Sequence, residues 1–372
     1  MATSAFVLII LVETLVIGGL PLLYPRIARR GLLFGVYVGE ERWDGAEARQ
    51  ITRSWQIGMI LWSLASAGLS ILFFLWYHNP IGMAIVMTAL PLALTVVTMA
   101  VFLRAYYRAR TLAAPGLPPP AVALLSVPET PLTLPIVVMV IGILCGICAV
   151  SYAAMHYANL PARVPTHFGP GGRPDAWRPK SFWTVMLLPL LTLIMGAGLG
   201  GMALLVSRAK RALRFPQTQI SVEAQMRFRQ AVARFLCGIA LLVTAMLTVG
   251  SVGSIRVGLG LDEGLPPSMM VIGIGLGVLA FGGTLYLALH YGQGGARLER
   301  SAGNAPLTNG LADNRYWVLG AFYVNRDDPS IFVERRFGFG YTINFGNPKA
   351  VAFFLGFIIL ILALAVAAVV KG

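Results

Sequence analysis

The chain contains few charged residues: Asp, Glu, Lys and Arg make up only 12% of its 372 residues, and 15 of them are acidic. Soluble domains usually carry about 25% charged residues. The sequence also lacks the HExxH, GxSxG and P-loop motifs that mark common hydrolase and nucleotide sites. A soluble protein is therefore excluded, and the absence of a strong enzyme signature favours a non-enzymatic role.

Cysteine is scarce as well, with three residues in the chain. Cys145 and Cys148 lie three residues apart in an apolar stretch, which places both thiols on one face of a helix. A redox pair needs a polar and accessible thiolate. Buried packing is therefore the favoured role for this pair, and also for Cys237.

The chain is instead rich in apolar residues, which form 57% of it and give a mean hydropathy of +0.75. A membrane-spanning helix needs about 20 apolar residues, and irregular backbone cannot face lipid. We therefore predict an all-α integral membrane protein, a bundle of about eight transmembrane helices. The predicted spans are 4–24, 54–76, 81–103, 132–154, 182–206, 232–254, 268–290 and 349–370.

The net charge of +14 follows the predicted topology. Alternate connections hold 21 Lys and Arg residues on one side of the bundle and 5 on the other. Basic loops stay in the cytoplasm, so both termini are expected outside a bacterial cytoplasmic (inner) membrane. The lipid bilayer is the expected partner, and nucleic acid is not.

The spans and connections divide the chain into five segments. The first holds three helices and their cytoplasmic loops, the second is a helix–loop–helix unit, and the third holds two more helices. A cytoplasmic β-hairpin segment and the last helix follow. The boundaries are 1–130, 131–206, 207–290, 291–348 and 349–372.

Glu13 lies near the middle of the first predicted span, where a carboxylate is costly and usually faces the bundle or a water-filled cavity. Glu13 either orients helices as a protonated or hydrogen-bonded side chain, or it couples protons to transport or contacts a substrate. Pro91 and Pro189, each within a span, add to the second hypothesis because broken helices often mark transporter sites. A proton-coupled small-molecule transporter using Glu13 is therefore one alternative.

Three histidines fall on the predicted outer side: His78, His156 and His167. Imidazoles bind zinc or copper when several converge on one point. A membrane metalloenzyme with an outer histidine site is thus a second alternative. No other cofactor is predicted, and the simpler expectation is that His167 forms a hydrogen bond within its own loop to Asp175.

The connection LPARVPTHFGPGGRPDAWRPKSF at 160–182 holds five prolines and three glycines. These residues restrict the backbone and permit tight turns, which predicts one ordered outer loop. The segment resembles domain of unknown function 1648, a bacterial membrane family that includes the SdpI-type immunity proteins. The matching residues are Leu160, Pro161, Val164, Pro165, Thr166, His167, Phe168, Gly172, Pro174, Asp175 and Trp177. The resemblance implies, by kinship, protection against a secreted toxic peptide.

The segment RYWVLGAFYVNRDDPSIFVERRFGFGYTINFGNP resembles a second family, domain of unknown function 5808. Its matching residues are Trp317, Gly320, Tyr323, Asn325, Asp328, Pro329, Gly340, Thr342, Asn344 and Phe345. The stretch LFGVYVGEER at 33–42 resembles the first cytoplasmic loop of the same branch. Neither resemblance supplies a biochemical activity.

Residues 331–345 alternate in polarity with period two, which predicts a strand with one aromatic face. Residues 316–324 are its expected partner, and NRDDPS is the turn that joins them. This hairpin must dock on the bundle, on lipid or on a partner, because a lone hairpin is marginal in water. Arg335 and Arg336 are expected to face lipid phosphates or the acidic groups of a partner.

The favoured function is envelope sensing, or immunity to a membrane-active peptide. The outer loop would be the recognition element, through Thr166, His167, Phe168, Asp175 and Trp177. A peptide toxin or a small ligand would bind outside, and a protein partner inside would contact the cytoplasmic hairpin.

Overall fold

The computed structural model of the protein describes residues 20–76, 80–115, 131–169, 171–208, 219–301, 313–338 and 340–370. It is mostly helical. Two short helices, α1 and α2, precede the long ones. In chain order the helices are α1 Tyr24–Ile27, α2 Glu40–Trp43, α3 Ala46–Trp76, α4 Pro80–Arg110, α5 Thr133–His156, α6 Phe182–Ser207, α7 Gln219–Gly258, α8 Ser268–Tyr291, α9 Ala296–Ser301 and α10 Pro348–Val370.

Four stretches of helix among the described residues are long and apolar enough to cross a membrane: Thr133–His156, Phe182–Ser207, Glu223–Gly258 and Ser268–Leu298. A shorter apolar helix follows at Pro348–Ala363. These helices suit a lipid bilayer and a chain that crosses it several times. The count of eight spans stays a prediction, and most of the first span lies outside the described residues.

Helices α5 and α6 approach each other through glycines. A Cβ built on Gly196 would stand 2.6 Å from the carbonyl oxygen of Gly142, and one on Gly200 would stand 2.5 Å from the Cα of Met139. The GAGLGG stretch at 196–201 is thus a helix-packing face. The four-residue spacing of Gly196 and Gly200 predicts such a face, because small residues let two helices approach closely. For Gly273 and Gly277, which have the same spacing, no described atom lies within 4 Å of an added Cβ.

Helix α6 begins at a capping box. The hydroxyl of Ser181 accepts a hydrogen bond from the Thr184 amide, and the Thr184 hydroxyl accepts one from the Ser181 amide. The helix then continues through the buried Pro189 without a break. Pro91 likewise lies inside the continuous helix α4. Neither proline breaks its helix, although the transporter hypothesis relied on such breaks.

The cysteines differ in their surroundings. Cys237 is buried against Val138 and Ala203, as predicted. Cys148 is exposed and Cys145 only half-buried, so buried packing was wrong for this pair. The reason is that Gly142 and Gly146, rather than the two cysteines, form the closest contact of α5 with α6.

Four antiparallel hairpins connect the described helices. The first is β1 (Leu32–Leu33) with β2 (Val36–Tyr37), and the second is β3 (Arg163–Phe168) with β4 (Pro174–Pro179). Near the C-terminus, β5 (Trp317–Val318) pairs with β6 (Phe322–Tyr323), and β7 (Phe332–Glu334) pairs with β8 (Tyr341–Ile343).

The single long hairpin predicted for 316–345 is therefore wrong in its pairing. Residues 331–345 fold back on themselves, because Gly338 and Gly340 adopt positive φ and turn the chain. A parallel bridge between Tyr323 and Asn344 connects the two C-terminal hairpins. The alternation in polarity was real, but it covered two short strands rather than one.

Hairpins β1–β2, β5–β6 and β7–β8 form one unit, here called the hairpin cap. Gly35 and Gly320, each in a turn with positive φ, meet face to face: a Cβ on Gly35 would lie 2.0 Å from the carbonyl oxygen of Gly320. Phe34 is fully buried beside Trp55 of α3 and Phe102 of α4. The cap thus seats on the ends of α3 and α4.

Helix α7 links the two ends of the bundle. A Cβ on Gly295, beside the cap, would stand 2.8 Å from the carbonyl oxygen of Ala224, and one on Gly258 would stand 3.0 Å from Leu160. At 1.5 Å per residue the two points on α7 are about 50 Å apart. This distance exceeds the hydrocarbon thickness of about 30 Å. The contact between Gly295 and Ala224 and the contact between Gly258 and Leu160 therefore lie on opposite sides of any bilayer that α7 crosses.

Candidate functional sites at the two ends of the bundle

The β3–β4 hairpin with its flanks, residues 160–182, is here called the PTHF hairpin. Val164 pairs with Arg178 and His167 with Ala176, with a register shift between Pro165 and His167. The shift leaves Thr166 as the extra residue of a bulge, with its side chain exposed. The Pro/Gly-rich loop therefore has the single ordered shape that its composition predicts.

Buried residues anchor the PTHF hairpin to three helices. Leu160 and Val164 pack into one apolar cluster with Ala153 of α5, Val185 of α6 and Ile255 of α7. Burying two such side chains stabilises the attachment by about 3–6 kcal/mol. The hairpin is held against the bundle and is not a free loop.

Polar contacts fix both ends of the same hairpin. At its base, Lys180 Nζ donates a hydrogen bond of 2.7 Å to the carbonyl oxygen of Leu160 and lies 5.4 Å from the ring centroid of Tyr157. At its tip, the Leu265 amide donates one of 2.8 Å to the carbonyl oxygen of Gly172. The connection between α7 and α8 thus braces the tip, a contact that no sequence pattern indicated.

His167 and Asp175 form the predicted hydrogen bond, with Nδ1 and Oδ1 2.5 Å apart. Their side chains are 70% and 51% exposed. Because Nδ1 is engaged, Nε2 is the nitrogen left to meet a ligand. Trp177 is also exposed, at 39%, while Phe168 is half-buried. The hairpin therefore presents one histidine–aspartate pair and one indole ring.

Of the three histidines of the predicted metal site, His156 and His167 lie among the described residues. His156 Nδ1 lies 2.9 Å from the carbonyl oxygen of Tyr152, and the rings of these two residues contact each other. Within the described ranges, no three His, Cys, Asp or Glu residues form a group that could hold a metal. His78 lies outside the described residues, as does Glu13, so the site of three histidines and the role of Glu13 stay predictions.

Asn344 is the centre of the hairpin cap and is fully buried. Its Oδ1 accepts hydrogen bonds from the amides of Asn325 and Gly346, at 3.0 and 2.9 Å. Its Nδ2 donates to the carbonyl oxygens of Asn325 and Asp328, both at 2.8 Å. The side chain therefore joins β8 to the NRDDPS turn and acts as a structural residue.

Asp328 shapes the NRDDPS turn, as its composition predicts. Its Oδ1 accepts hydrogen bonds from the amide and hydroxyl of Ser330, and its Oδ2 accepts one of 3.0 Å from the hydroxyl of Tyr323. Burial raises the pKa of Tyr323 to about 12. The hydroxyl of Tyr323 thus stays protonated and remains the donor.

Arg336 is not on the surface, contrary to the prediction that it faces lipid or a partner. It is only 1% exposed. Its Nη1 donates to Asn314 Oδ1 at 2.7 Å and to the carbonyl oxygen of Gly35 at 3.3 Å, and its guanidinium lies 5.2 Å from the ring centroid of Trp317. Arg336 and Trp317 therefore bind the hairpins of the cap together. Arg335, the neighbouring residue, is exposed, and its contact with lipid phosphates or a partner stays a prediction.

A buried ion pair, missed in the sequence, joins the cap to the bundle. Arg29 Nη2 lies 2.9 Å from Glu334 Oε1, and both side chains are 7% exposed. Gln293 completes the contact, because its Oε1 accepts from the Arg29 amide and its Nε2 donates to the carbonyl oxygen of Arg335. Burial raises the pKa of Glu334, and the charge of Arg29 opposes that rise.

Weak sequence signals for this contact did exist. Glu334 is the only acid between 331 and 345, and it shares a strand face with Phe332, which is buried. The run Gly-Gln-Gly-Gly at 292–295 marks a turn, and all three of its glycines adopt positive φ. Nothing in the sequence, however, paired these residues with Arg29.

Comparison with known proteins gives two family matches and no named activity. Residues 143–193 match the model of a domain of unknown function (DUF1648). Residues 326–351 match that of a family of unknown function (DUF5808). The first match spans the PTHF hairpin with parts of α5 and α6, and the second spans β7–β8 and the start of α10. The order of both agrees with the resemblances seen in the sequence.

No curated protein and no solved structure matches the chain. The fold and the two family matches define a multi-pass membrane protein that carries these two domains of unknown function.

Proposed function

We propose that the protein is a non-enzymatic envelope receptor that recognises a membrane-active peptide through the PTHF hairpin, in sensing or in immunity. The hairpin would face the outside of a bacterial cytoplasmic membrane, with both termini on the same side. The observation that carries the proposal is the combination of rigid anchoring and exposure in one hairpin. Leu160 and Val164 are buried, whereas Thr166, His167, Asp175 and Trp177 are exposed.

This combination suits recognition for a physical reason. An exposed loop that is already ordered loses little conformational entropy when it binds a ligand. The indole of Trp177 offers apolar contact area, and His167 Nε2 offers a directional polar contact. Amphipathic peptides carry both kinds of group. The resemblance to the SdpI-type immunity proteins also supports peptide recognition.

Helix α7 offers a connection between recognition and a response. It contacts the PTHF hairpin near Gly258 and the turn beside the cap near Ala224. A protein partner that binds the cap on the opposite side would then respond to a change at the hairpin. Transport through Glu13 stays an alternative, and loss of proton-dependent flux in Glu13→Gln would favour it.

The test is peptide binding by the full chain in phospholipid nanodiscs. A panel of fluorescently labelled membrane-active peptides is titrated against the protein and against Trp177→Ala. We expect at least one peptide to bind, and the variant to bind it about tenfold or more weakly, as for an aromatic hot spot. Gly171→Ala is the control, because Gly171 is exposed and no described atom lies within 4 Å of an added Cβ.

Two outcomes would contradict the proposal. One is that no peptide binds more strongly to protein-containing nanodiscs than to empty ones. The other is that Trp177→Ala and His167→Ala both bind as the unchanged protein does, which would place recognition elsewhere. Cells that express the protein provide a second measurement: they should survive a higher concentration of the bound peptide, and Trp177→Ala cells should not.

A further inference from the structure

A large cavity lies between the helices and the hairpin cap. Its volume is about 980 Å³, near the upper end of the range for small-molecule sites. Its walls come from α4, α6 and α10, and its floor comes from the β5–β6 and β7–β8 hairpins. Most of the lining is aliphatic or aromatic, and among the described lining residues Arg335 is the only one that carries a charge.

The charged end of the cavity lies at the hairpin cap. Three hydrogen bonds hold Arg335 in place. Its carbonyl oxygen accepts one from Gln293, and its amide donates one to the carbonyl oxygen of Gly340. Its Nε donates the third, of 3.1 Å, to the carbonyl oxygen of Tyr341. Within the described part of the chain, its two terminal nitrogens make no hydrogen bond. The guanidinium therefore has donors available for an anion.

A second cation lies close to the same end. Lys349 is exposed in the first turn of α10, four residues before Phe353, which lines the cavity. Residues four apart lie on one face of a helix, so Lys349 is on the cavity side of α10. No described acid forms an ion pair with Lys349 or with Arg335, so this end of the cavity is positive.

The opposite end is apolar and lies farther along α4 and α10. The lining of α10 extends from Phe353 to Ile361, and Ile361 is 12 residues beyond Lys349. This separation is about 18 Å along the helix. A positive mouth at a helix end and an apolar channel along the helix axis match an amphiphile whose chain runs parallel to the spanning helices.

We propose that this cavity binds one acyl chain of an anionic phospholipid, with the phosphate of its headgroup on Arg335 and Lys349. Fork-shaped guanidinium donors bind phosphate oxygens well. A neutral apolar ligand would leave the two cations unused, and a free polar anion would leave the apolar channel unfilled. The site is separate from the PTHF hairpin and does not depend on peptide recognition.

The experiment uses the full chain in phosphatidylcholine vesicles that contain a small fraction of phosphatidylglycerol with a photoreactive diazirine near the end of one acyl chain. After irradiation, mass spectrometry locates the label on the protein. We expect it on Thr95–Leu103 of α4 and Phe353–Ile361 of α10. A phosphatidylcholine probe with the same diazirine should label these segments less, because each cation near the headgroup favours the anionic lipid about fivefold.

Two pairs of variants test the two ends of the site. Met99→Trp fills the cavity and should abolish this labelling, whereas Ala100→Trp, at a neighbouring exposed residue outside the lining, should leave it unchanged. Arg335→Gln should lower the preference for the anionic probe about fivefold. Arg335→Lys should retain most of it, and Arg326→Gln, at an exposed arginine of the cap, should retain all of it.

Three results would overturn the proposal. Equal labelling by the two probes would show that the site does not prefer an anionic headgroup. Labelling of α4 and α10 that persists in Met99→Trp would place the lipid outside the cavity. Labelling of neither helix, with the probe found on other segments, would show that the cavity is filled by protein. In each variant, circular dichroism spectra that match the unchanged protein separate these results from misfolding.

Discussion

Replacing Asn344 by Asp should unfold the hairpin cap while leaving the bundle intact. The carboxylate keeps the two bonds that Oδ1 accepts from the amides of Asn325 and Gly346. It loses the two that Nδ2 donates to the carbonyl oxygens of Asn325 and Asp328. One atom is thereby changed from a donor to an acceptor, at a position with no exposed surface.

The magnitude follows from the groups left without a partner. A buried polar group that loses its hydrogen bond costs about 1–3 kcal/mol. While the new carboxyl is ionised, two carbonyl oxygens lack a donor, so the cap should lose at least about 2–6 kcal/mol of stability. Since 1.4 kcal/mol is a factor of ten in an equilibrium constant, amide exchange in the cap should accelerate about 30-fold or more.

Hydrogen exchange followed by mass spectrometry measures this change peptide by peptide. Asp327→Asn is the matched control, because it makes the reverse substitution at an exposed position of the same turn and should change stability by less than about 0.5 kcal/mol. If exchange in 323–347 is as slow in Asn344→Asp as in the unchanged protein, Asn344 is not the centre of the cap and the reasoning fails.

Three further predictions concern the ion pair, the helix contact and pH. Glu334→Gln should destabilise the cap by about 3–5 kcal/mol, because it leaves a buried guanidinium without its counter-charge; exchange rates like those of the unchanged protein would contradict this. Gly196→Ala should lower the thermal unfolding midpoint, at a cost of about 1–3 kcal/mol, because its methyl group would overlap α5. Gly201→Ala, with no described atom within 4 Å of an added Cβ, should be neutral. Finally, the side-chain hydrogen bond from Arg315 lowers the pKa of Asp313. The stabilisation from this bond should therefore be complete above the usual carboxyl pKa and be lost as the pH falls through the lowered one. A titration of the Asp313 carboxyl at the usual pKa, measured by NMR, would contradict it.

Local patterns in the sequence predicted much of the fold. The apolar runs gave the positions of the long helices, and the spacing of Gly196 and Gly200 predicted a close helix contact. The prolines and glycines of 160–182 predicted an ordered loop, and the hydrogen bond between His167 and Asp175 was expected within it. Each of these features depends on residues within about 20 positions of one another.

The contacts between distant segments were not predicted. Arg335 and Arg336 are adjacent and identical in type, yet one is exposed and the other is 1% exposed. Both residues follow the end of β7, and only the arrival of the β1–β2 hairpin makes Arg336 face the interior. Likewise, no local pattern indicated that Arg29 pairs with Glu334, because the two residues lie far apart in the sequence.

The hydrogen bond from Arg336 to the Gly35 carbonyl has a consequence for biosynthesis. The two residues are 301 positions apart. At a synthesis rate of about 5–20 residues per second, Gly35 leaves the ribosome roughly 15–60 s before Arg336 exists. During that interval the β1–β2 hairpin lacks its partners in β5–β8, so the cap cannot be completed before Arg336 is made. A chain that stops before β5 would therefore carry helices α3 to α8 but an open cap, in which Phe34 lacks its contact with Phe337 and is open to any factor that monitors unfinished membrane proteins.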